Sequence, residues 1–335
     1  MYELLISSKA TGKIWDVTNI CPGAIEYDTE RQGQPGTFTF AVILSGDLAF
    51  EEGDIVRFSD SGQLVFYGYV FKRAIDRWGV CTVTCYDRLR YLKTSASYSF
   101  YGLTAGDIIK QIAEDLLIDT GEIEDTGYAI PSLIETNQDC IDIINEAINL
   151  TLLNTGVLYT LYDNGSGLSL KSSKNWLSDT VLGTGSYLTD YTYSTDIDTN
   201  VYNSVKLVMA NEDTGRFDAY VAEDSANIAK WGKLPLYQEV YGDLNAAQIA
   251  EQAKTTLAYY NKVRRTLPIS AIGVPGVRAG MMIRVMIDDL DGANFAAWVL
   301  IESCSHSWQE GEHVMRIDVK ELTDDLVRND PESDL

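Results

Sequence analysis

Few residues in this chain have the type and spacing to do chemistry. There are two histidines, five cysteines and one dense run of aspartates. A turn centred on Gln309–Glu310 sets His306 opposite His313 across a hairpin, near enough to share a metal. The pattern offers no third ligand, and an imidazole pair without one usually packs or lines an interface. Cys81 and Cys85 share a face of a strand but lie about 13 Å apart at ~3.3 Å rise per residue. Zinc knuckles hold their ligand pairs at a turn instead, so both are read as core residues. Asp288-Asp-Leu-Asp291-Gly292 has the density of a calcium loop without its later ligands. The chain has no GxGxxG, Walker loop, GxSxG elbow or HExxH. Asn164-Gly-Ser166-Gly167 and Gly183-Thr-Gly185-Ser186 read as turns, and carboxylates are too plentiful for one pair to stand out as acid and base. No catalytic, cofactor-binding or metal residue is nominated, no cofactor is expected, and the chain is not expected to be an enzyme.

The elements that would position these residues are β-strands. Gly53-Asp-Ile-Val-Arg57-Phe58 is followed by a turn at Asp60-Ser-Gly62, a strand at Leu64–Val70, a turn near Trp78-Gly79 and a strand at Val80–Cys85. The same plan returns at Gly280-Met-Met-Ile-Arg284-Val285, with turns at Asp288–Gly292 and near Glu310-Gly311 and strands at Trp298–Ile301 and Val314–Val319. Two such meanders predict two related β-domains. Between them the pattern changes. Thr104 with Asp107 caps a helix whose apolar positions include Ile108, Ile109, Ile112 and Leu116. A second helix is expected from Thr136, with Ile141, Ile144, Ile148 and Leu152 on one face. Asn164-Gly165 marks the hairpin Val157–Lys171. Asn245 with Gln248 caps a helix inside the second β region.

The expected fold class is therefore mainly β with an α+β insert. The expected domains are 1–95, a first β-domain; 96–200, the insert; 201–322, a second β-domain with one helix; and 323–335, an acidic tail.

With 335 residues there is room for two or three cores. The net charge is -23 and the pI near 4.3, a surface that repels nucleic acid and anionic membranes. The start lacks the basic and apolar runs of a signal peptide, no apolar stretch is long enough to span a bilayer, and five scattered cysteines fit a reducing compartment.

Several segments, in order along nearly the whole chain, resemble a family. They are Gly23-Ala-Ile-Glu-Tyr27 with Glu30-Arg-Gln-Gly33-Gln-Pro-Gly36, then Leu64-Val-Phe-Tyr-Gly68-Tyr-Val70, then Thr84-Cys-Tyr86-Asp87-Arg-Leu89. Leu158–Gly165, Ile228-Ala-Lys-Trp-Gly232-Lys-Leu234, Ser305-His306-Ser-Trp308 and Gly311-Glu-His313-Val-Met315 continue the series. Together they resemble the phage-tail baseplate hub proteins of the XkdQ/YqbQ kind, related to the central hubs of contractile tails and type VI spike proteins. Pro275–Gly280 and Trp231 depart from the pattern.

The resemblance implies two tail-tube-like β-barrel domains flanking the smaller module. It implies a homotrimeric structural adaptor joining a hexameric tail tube, or its initiator, to a trimeric central spike, among other baseplate components. It places the chain in a virion or phage-tail-like particle assembled in the bacterial cytoplasm, with no specific nucleic-acid binding and no membrane insertion. A second possibility is a tail-associated cell-wall hydrolase or carbohydrate-binding component, because 20 Tyr and 6 Trp could stack on sugars.

Overall fold

Each meander starts at a glycine because the backbone there is left-handed, with φ of 92° at Gly53 and 93° at Gly280. The structure, a computed structural model, describes residues 1–211, 216–240 and 245–322. The expected acidic tail, 323–335, lies outside them.

In chain order the main strands are β1 (Tyr2–Ser7), β2 (Ile25–Glu30), β3 (Thr37–Ile43), β4 (Ile55–Asp60), β5 (Gln63–Ile75) and β6 (Val80–Tyr86). The α+β segment follows with β7 (Ser95–Phe100), α1 (Ala105–Asp115), β8 (Leu133–Asp139), α2 (Cys140–Thr155), β9 (Tyr159–Asp163) and β10 (Leu168–Ser172). After β11 (Leu177–Gly183) and β12 (Leu188–Tyr191) come β13 (Ser204–Asn211), β14 (Arg216–Glu223), α3 (Ser225–Trp231), β15 (Pro235–Glu239) and α4 (Ala246–Tyr260). The chain closes with β16 (Ile269–Ile272), β17 (Met282–Leu290), β18 (Ala293–Gln309) and β19 (Glu312–Val319).

The echo seen in the two meanders extends to six strands in each repeat. The first repeat pairs in the order β1-β4-β5-β6-β3-β2, and the second in the order β11-β17-β18-β19-β16-β12. Corresponding strands follow the same order along the chain. Local geometry agrees as well. Gly53 N–H donates to the Val70 carbonyl at 2.8 Å and Val70 N–H to that of Asp54 at 2.9 Å. Gly280 N–H donates to Ile301 at 2.8 Å and Ile301 N–H to Met281 at 2.9 Å. A bulge follows at once in both, between Val70 and Lys72 and between Ile301 and Ser303. Arg57 and Arg284 occupy matching places, opposite Tyr67 and Trp298. One departure is the outer strand: β1 runs antiparallel to β4, but β11 runs parallel to β17.

The two repeats are not separate domains, since β18 pairs with β2 and the ladder runs on from one into the other. The described residues gather instead into two compact units, one comprising Met1–Thr192 with Pro268–Lys320, the other built on Tyr193–Leu267. This division differs from the expected boundaries at 95, 200 and 322. The last four strands leave the expected 201–322 domain because they pair with one another and with β11 and β12, while β18 also pairs with β2 of the first repeat.

In the first unit, Leu4, Ile6, Phe38, Phe40, Val56, Phe58 and Phe66 form the core of the first repeat, and Trp308 from the second enters it. The α+β segment has its own core, where Ile108, Ile109, Ile112, Ile141, Ile144 and Ile148 meet Leu161, Leu168 and Leu170. Thr104 and Asp107 form the expected capping box on α1. Helix α2 starts at Cys140, because 136–139 are drawn into β8, which pairs with β7. In the second unit β13 lies between β14 and β15, and α4, capped by Asn245 and Gln248, buries Ile249 and Ala253 against Val205 and Leu207.

Candidate functional site: the seam between the two repeats

The seam is made where β18 lies between β19 and β2, and its side chains include the residues with most chemical capacity. The turn after β18 is formed by Glu310 and Gly311, both at positive φ, so Trp308 and not His306 stands opposite His313. The histidines are therefore diagonal neighbours on one face. His306 Nδ1 lies 2.9 Å from His313 Nε2, and His306 Nε2 lies 2.7 Å from the Val277 carbonyl. A carbonyl only accepts, so His306 carries its proton on Nε2, and its Nδ1 accepts the proton of His313 Nε2. That leaves His313 Nδ1 unprotonated, 3.6 Å from Asp60 Oδ2, which already accepts from Trp308 Nε1–H at 2.9 Å.

Burial lowers the pKa of His306 from 6.5 to about 4. It also lowers His313 to about 4, with help from the His306 charge and against the pull of Asp60. Burial works against ionisation of Asp60, but hydrogen bonds from Trp308 and Ser61 hold its carboxyl below the usual range. The rings form one stack, with Trp308 and His313 centroids 4.2 Å apart and His306 6.4 Å from Tyr27 on β2. Thr29 completes this part of the seam, its hydroxyl donating to the Cys304 carbonyl and accepting from Ala279 N–H.

A second cluster joins the seam to the α+β segment. Arg88 Nη1 lies 3.0 Å from both Asp163 oxygens, and the same carboxylate accepts the N–H groups of Arg88 and Gly165. Arg278 Nη1 donates to the Asp163 carbonyl at 2.8 Å, with its guanidinium 5.1 Å from the Tyr162 ring centre. Asp87 accepts from Gly36 and Leu89 N–H; burial, reinforced by the Asp163 charge, raises its carboxyl pKa to about 7.

Tyr27, Asp87, Tyr162, Asp163, Trp176 and Arg278 border a cavity of about 170 Å³. A raised acid, a second carboxylate and aromatic rings are what a glycoside hydrolase needs. Here the carboxylates are tied to backbone N–H groups and to Arg88, and the space is smaller than the ~300–1,000 Å³ of ordinary ligand clefts. The cluster fastens three segments together, and each of its four carboxylate oxygens accepts at least one hydrogen bond from the protein. Sequence reasoning missed it because its members are far apart in the chain.

The other expected candidates fall elsewhere. Cys81 and Cys85 are both buried in the core of the first repeat, and burial pushes the Cys85 thiol well up. Asp288, Asp289 and Asp291 are exposed around the β17–β18 turn. Among the described residues, no three His, Cys, Asp or Glu side chains are placed to hold a metal.

A model of the YQBQ-like family matches residues 25–320, which contain the whole of this seam. The chain belongs to that family. It is 32% identical over 306 residues to the uncharacterized protein YqbQ of Bacillus subtilis (strain 168), covering 89% of this chain and 91% of YqbQ. It is 33% identical over 305 residues to the phage-like element PBSX protein XkdQ of the same organism, covering 89% and 92%. Its fold is similar to that of the 43 kDa tail protein of prophage MuSo2 from Shewanella oneidensis, with a TM-score of 0.68 at 15% identity over 95% of this chain and 98% of the other. The Tyr27 and Trp308 segments of the seam both fall within the stretch that carries family membership.

Proposed function

We propose that this member of the YQBQ-like family is a structural component of a phage-tail baseplate, a trimeric hub that joins a six-fold tail tube to a three-fold central spike. The observation that carries this is the six-strand repeat, with its matching glycine bonds and bulges. Three chains with two like repeats each present six similar modules on one side and three identical subunits on the other. That combination suits an adaptor between a hexamer and a trimer. The two repeats then stand for the two tube-like barrels, with the α+β segment and the 193–267 unit as additions between strands.

Family membership alongside a protein of a phage-like element, and a fold shared with a prophage tail protein, support the same setting. The particle is then a virion or phage-tail-like assembly, with tube, spike and other baseplate proteins as partners. The alternative of a cell-wall hydrolase loses its best site, because Asp87 and Asp163 are committed to structural bonds. A charge of -23 disfavours DNA as a ligand and suits a conduit that must not hold it.

Electron microscopy of the purified protein, alone and mixed with its tube and spike proteins, tests the proposal. Rings of three chains that cap the tube protein and take up the spike are expected. A monomer that binds neither, or release of sugars from purified cell wall, would overturn it.

A further inference from the structure

The repeat leaves an asymmetry at its edges. On the second repeat, Ser303–Trp308 of β18 pairs with β19 on one side and with β2 on the other. Aligning the bulges sets Lys72 of β5 at the place of Ser303 and Ile75 at the place of His306. On Lys72–Ile75 only the β6 side is paired among the described residues. Burial follows pairing: His306 is 2% exposed, Ile75 is 55% exposed. Among the described residues no strand covers β5 of the first repeat as β2 covers β18 of the second.

The counterpart of that covering strand is paired on one edge, Tyr191 with Ile269 and Ser194–Asp196 with Arg264–Thr266, and on the other edge has no partner among the described residues. In the second repeat the place of β2 is taken by β12 and the residues after it, and β12 ends the sheet order. Thr192 N–H bonds to the Pro268 carbonyl where Glu26 pairs with Thr39. Counting on from there matches Tyr193 with Tyr27, Thr195 with Thr29 and Asp196 with Glu30. Register alone gave this alignment, and the residue types agree at each of the three positions.

We infer that the open edge of β5 takes the segment 191–196 of a second copy, repeating between chains the pairing that β18 and β2 make within one. The inference rests on the ring proposed above and names its subunit contact. Carried over from β18 and β2, the register sets Lys72 opposite the second copy's Asp196, Ala74 opposite its Ser194, and Ile75 opposite its Tyr193. The first is an opposite-charge pair, the last an aliphatic–aromatic pair, and no like charges face each other. The contact is head-to-tail, which closes into a ring of three where the rotation between copies is 120°, and it uses up two open strand edges that would otherwise be sites of uncontrolled pairing.

Cysteine cross-linking tests this. Ala74→Cys and Ser194→Cys are made singly and together, mixed, oxidised and run on a non-reducing gel. Mixing the two single variants is expected to give a covalent dimer that neither gives alone, and the double variant a ladder that stops at three chains. Ile75→Asp, at a position exposed in the single chain, is expected to weaken association at least tenfold with no change in melting temperature. Absence of the mixed dimer while the unmodified protein sediments as a trimer would refute this contact and leave the hub standing. A ladder that continues past three would refute the closed ring. If the unmodified protein stays monomeric at every concentration and with its tube protein, the hub proposal falls and this contact with it.

Discussion

His306 and His313 meet Nδ1 to Nε2 at 2.9 Å, and of their four ring nitrogens only His313 Nδ1 is left to accept a proton. Both groups are lowered from 6.5 to about 4, so below pH 6.5 the unfolded chain takes up protons that the folded chain refuses. Their contribution to stability is complete above about pH 6.5 and is lost as the pH falls toward 4. Asp87 acts in the opposite sense. Its raised pKa stabilises the folded state at low pH, and that contribution is lost as the pH rises through about 7. The double substitution His306→Leu with His313→Leu is expected to reduce the loss of stability between pH 6.5 and 4.5, by an amount on the order of 2–3 kcal/mol. Denaturant unfolding at the two pH values measures it. An unchanged difference would mean that the pair is exposed to protons in the folded state.

Arg88 depends on Asp163 more than the reverse, because the carboxylate also accepts two backbone N–H groups. Asp163→Ala leaves a guanidinium with its side chain 7% exposed and no close buried counter-charge, since Asp119 at 4.0 Å is mostly in solvent. The expected cost is about 3–5 kcal/mol. Replacing Arg88 and Asp163 together with Met and Leu should cost less than Asp163→Ala alone. A double-mutant cycle by chemical unfolding decides this, and a larger loss for the apolar pair would show that the ion pair itself stabilises the fold.

The glycines and turns of the meanders were legible in the sequence because a left-handed backbone favours glycine and leaves a mark at a fixed spacing. The other half of the repeat was not. Its strands share little beyond Tyr27 and Tyr193, Thr29 and Thr195, and the 193–267 unit separates β12 from its partner β16. The histidines were correctly placed on one hairpin, but a turn one residue later than expected made them diagonal. For the charge cluster, Asp87-Arg88 and Asp163-Asn-Gly165 look like turn chemistry when read locally. Only the fold brings Arg278 to them, and long-range pairing of this kind leaves no periodic trace.

The matched glycines provide a direct comparison. A methyl group at Gly53 meets nothing within 4 Å, so Gly53→Ala suffers only backbone strain, on the order of 1 kcal/mol. At Gly280 the same methyl would sit 2.6 Å from Thr160 Cγ2, with the Thr160 Cβ and Oγ1 at 2.9 Å. Gly280→Ala should therefore cost at least about 1 kcal/mol more. Thermal melts of the two variants test this, and Gly280→Ala combined with Thr160→Ser should recover part of the difference. Equal losses in both would show that contact with the α+β segment does not constrain the second meander.

Ile144 decides whether the α+β segment is held by its own core. Its side chain is fully buried between α1, α2 and the β9–β10 hairpin, and so are those of Ile141 and Ile148 on the same helix. Ile144→Asp places a carboxylate among aliphatic groups, where it must either stay ionised without a partner or take up a proton. The cost is several kcal/mol by either route, on the order of 3–5. Because this core is distinct from that of the first repeat, the damage should stay local: hydrogen exchange is expected to speed up over 105–172, while the amides of β4, β5 and β6 remain protected. The isosteric control Ile144→Leu should shift stability by less than about 1.5 kcal/mol. Loss of protection in β4–β6 to the same degree would show that the segment and the repeats unfold as one cooperative unit, and that the Arg88–Asp163 link transmits the whole of the strain.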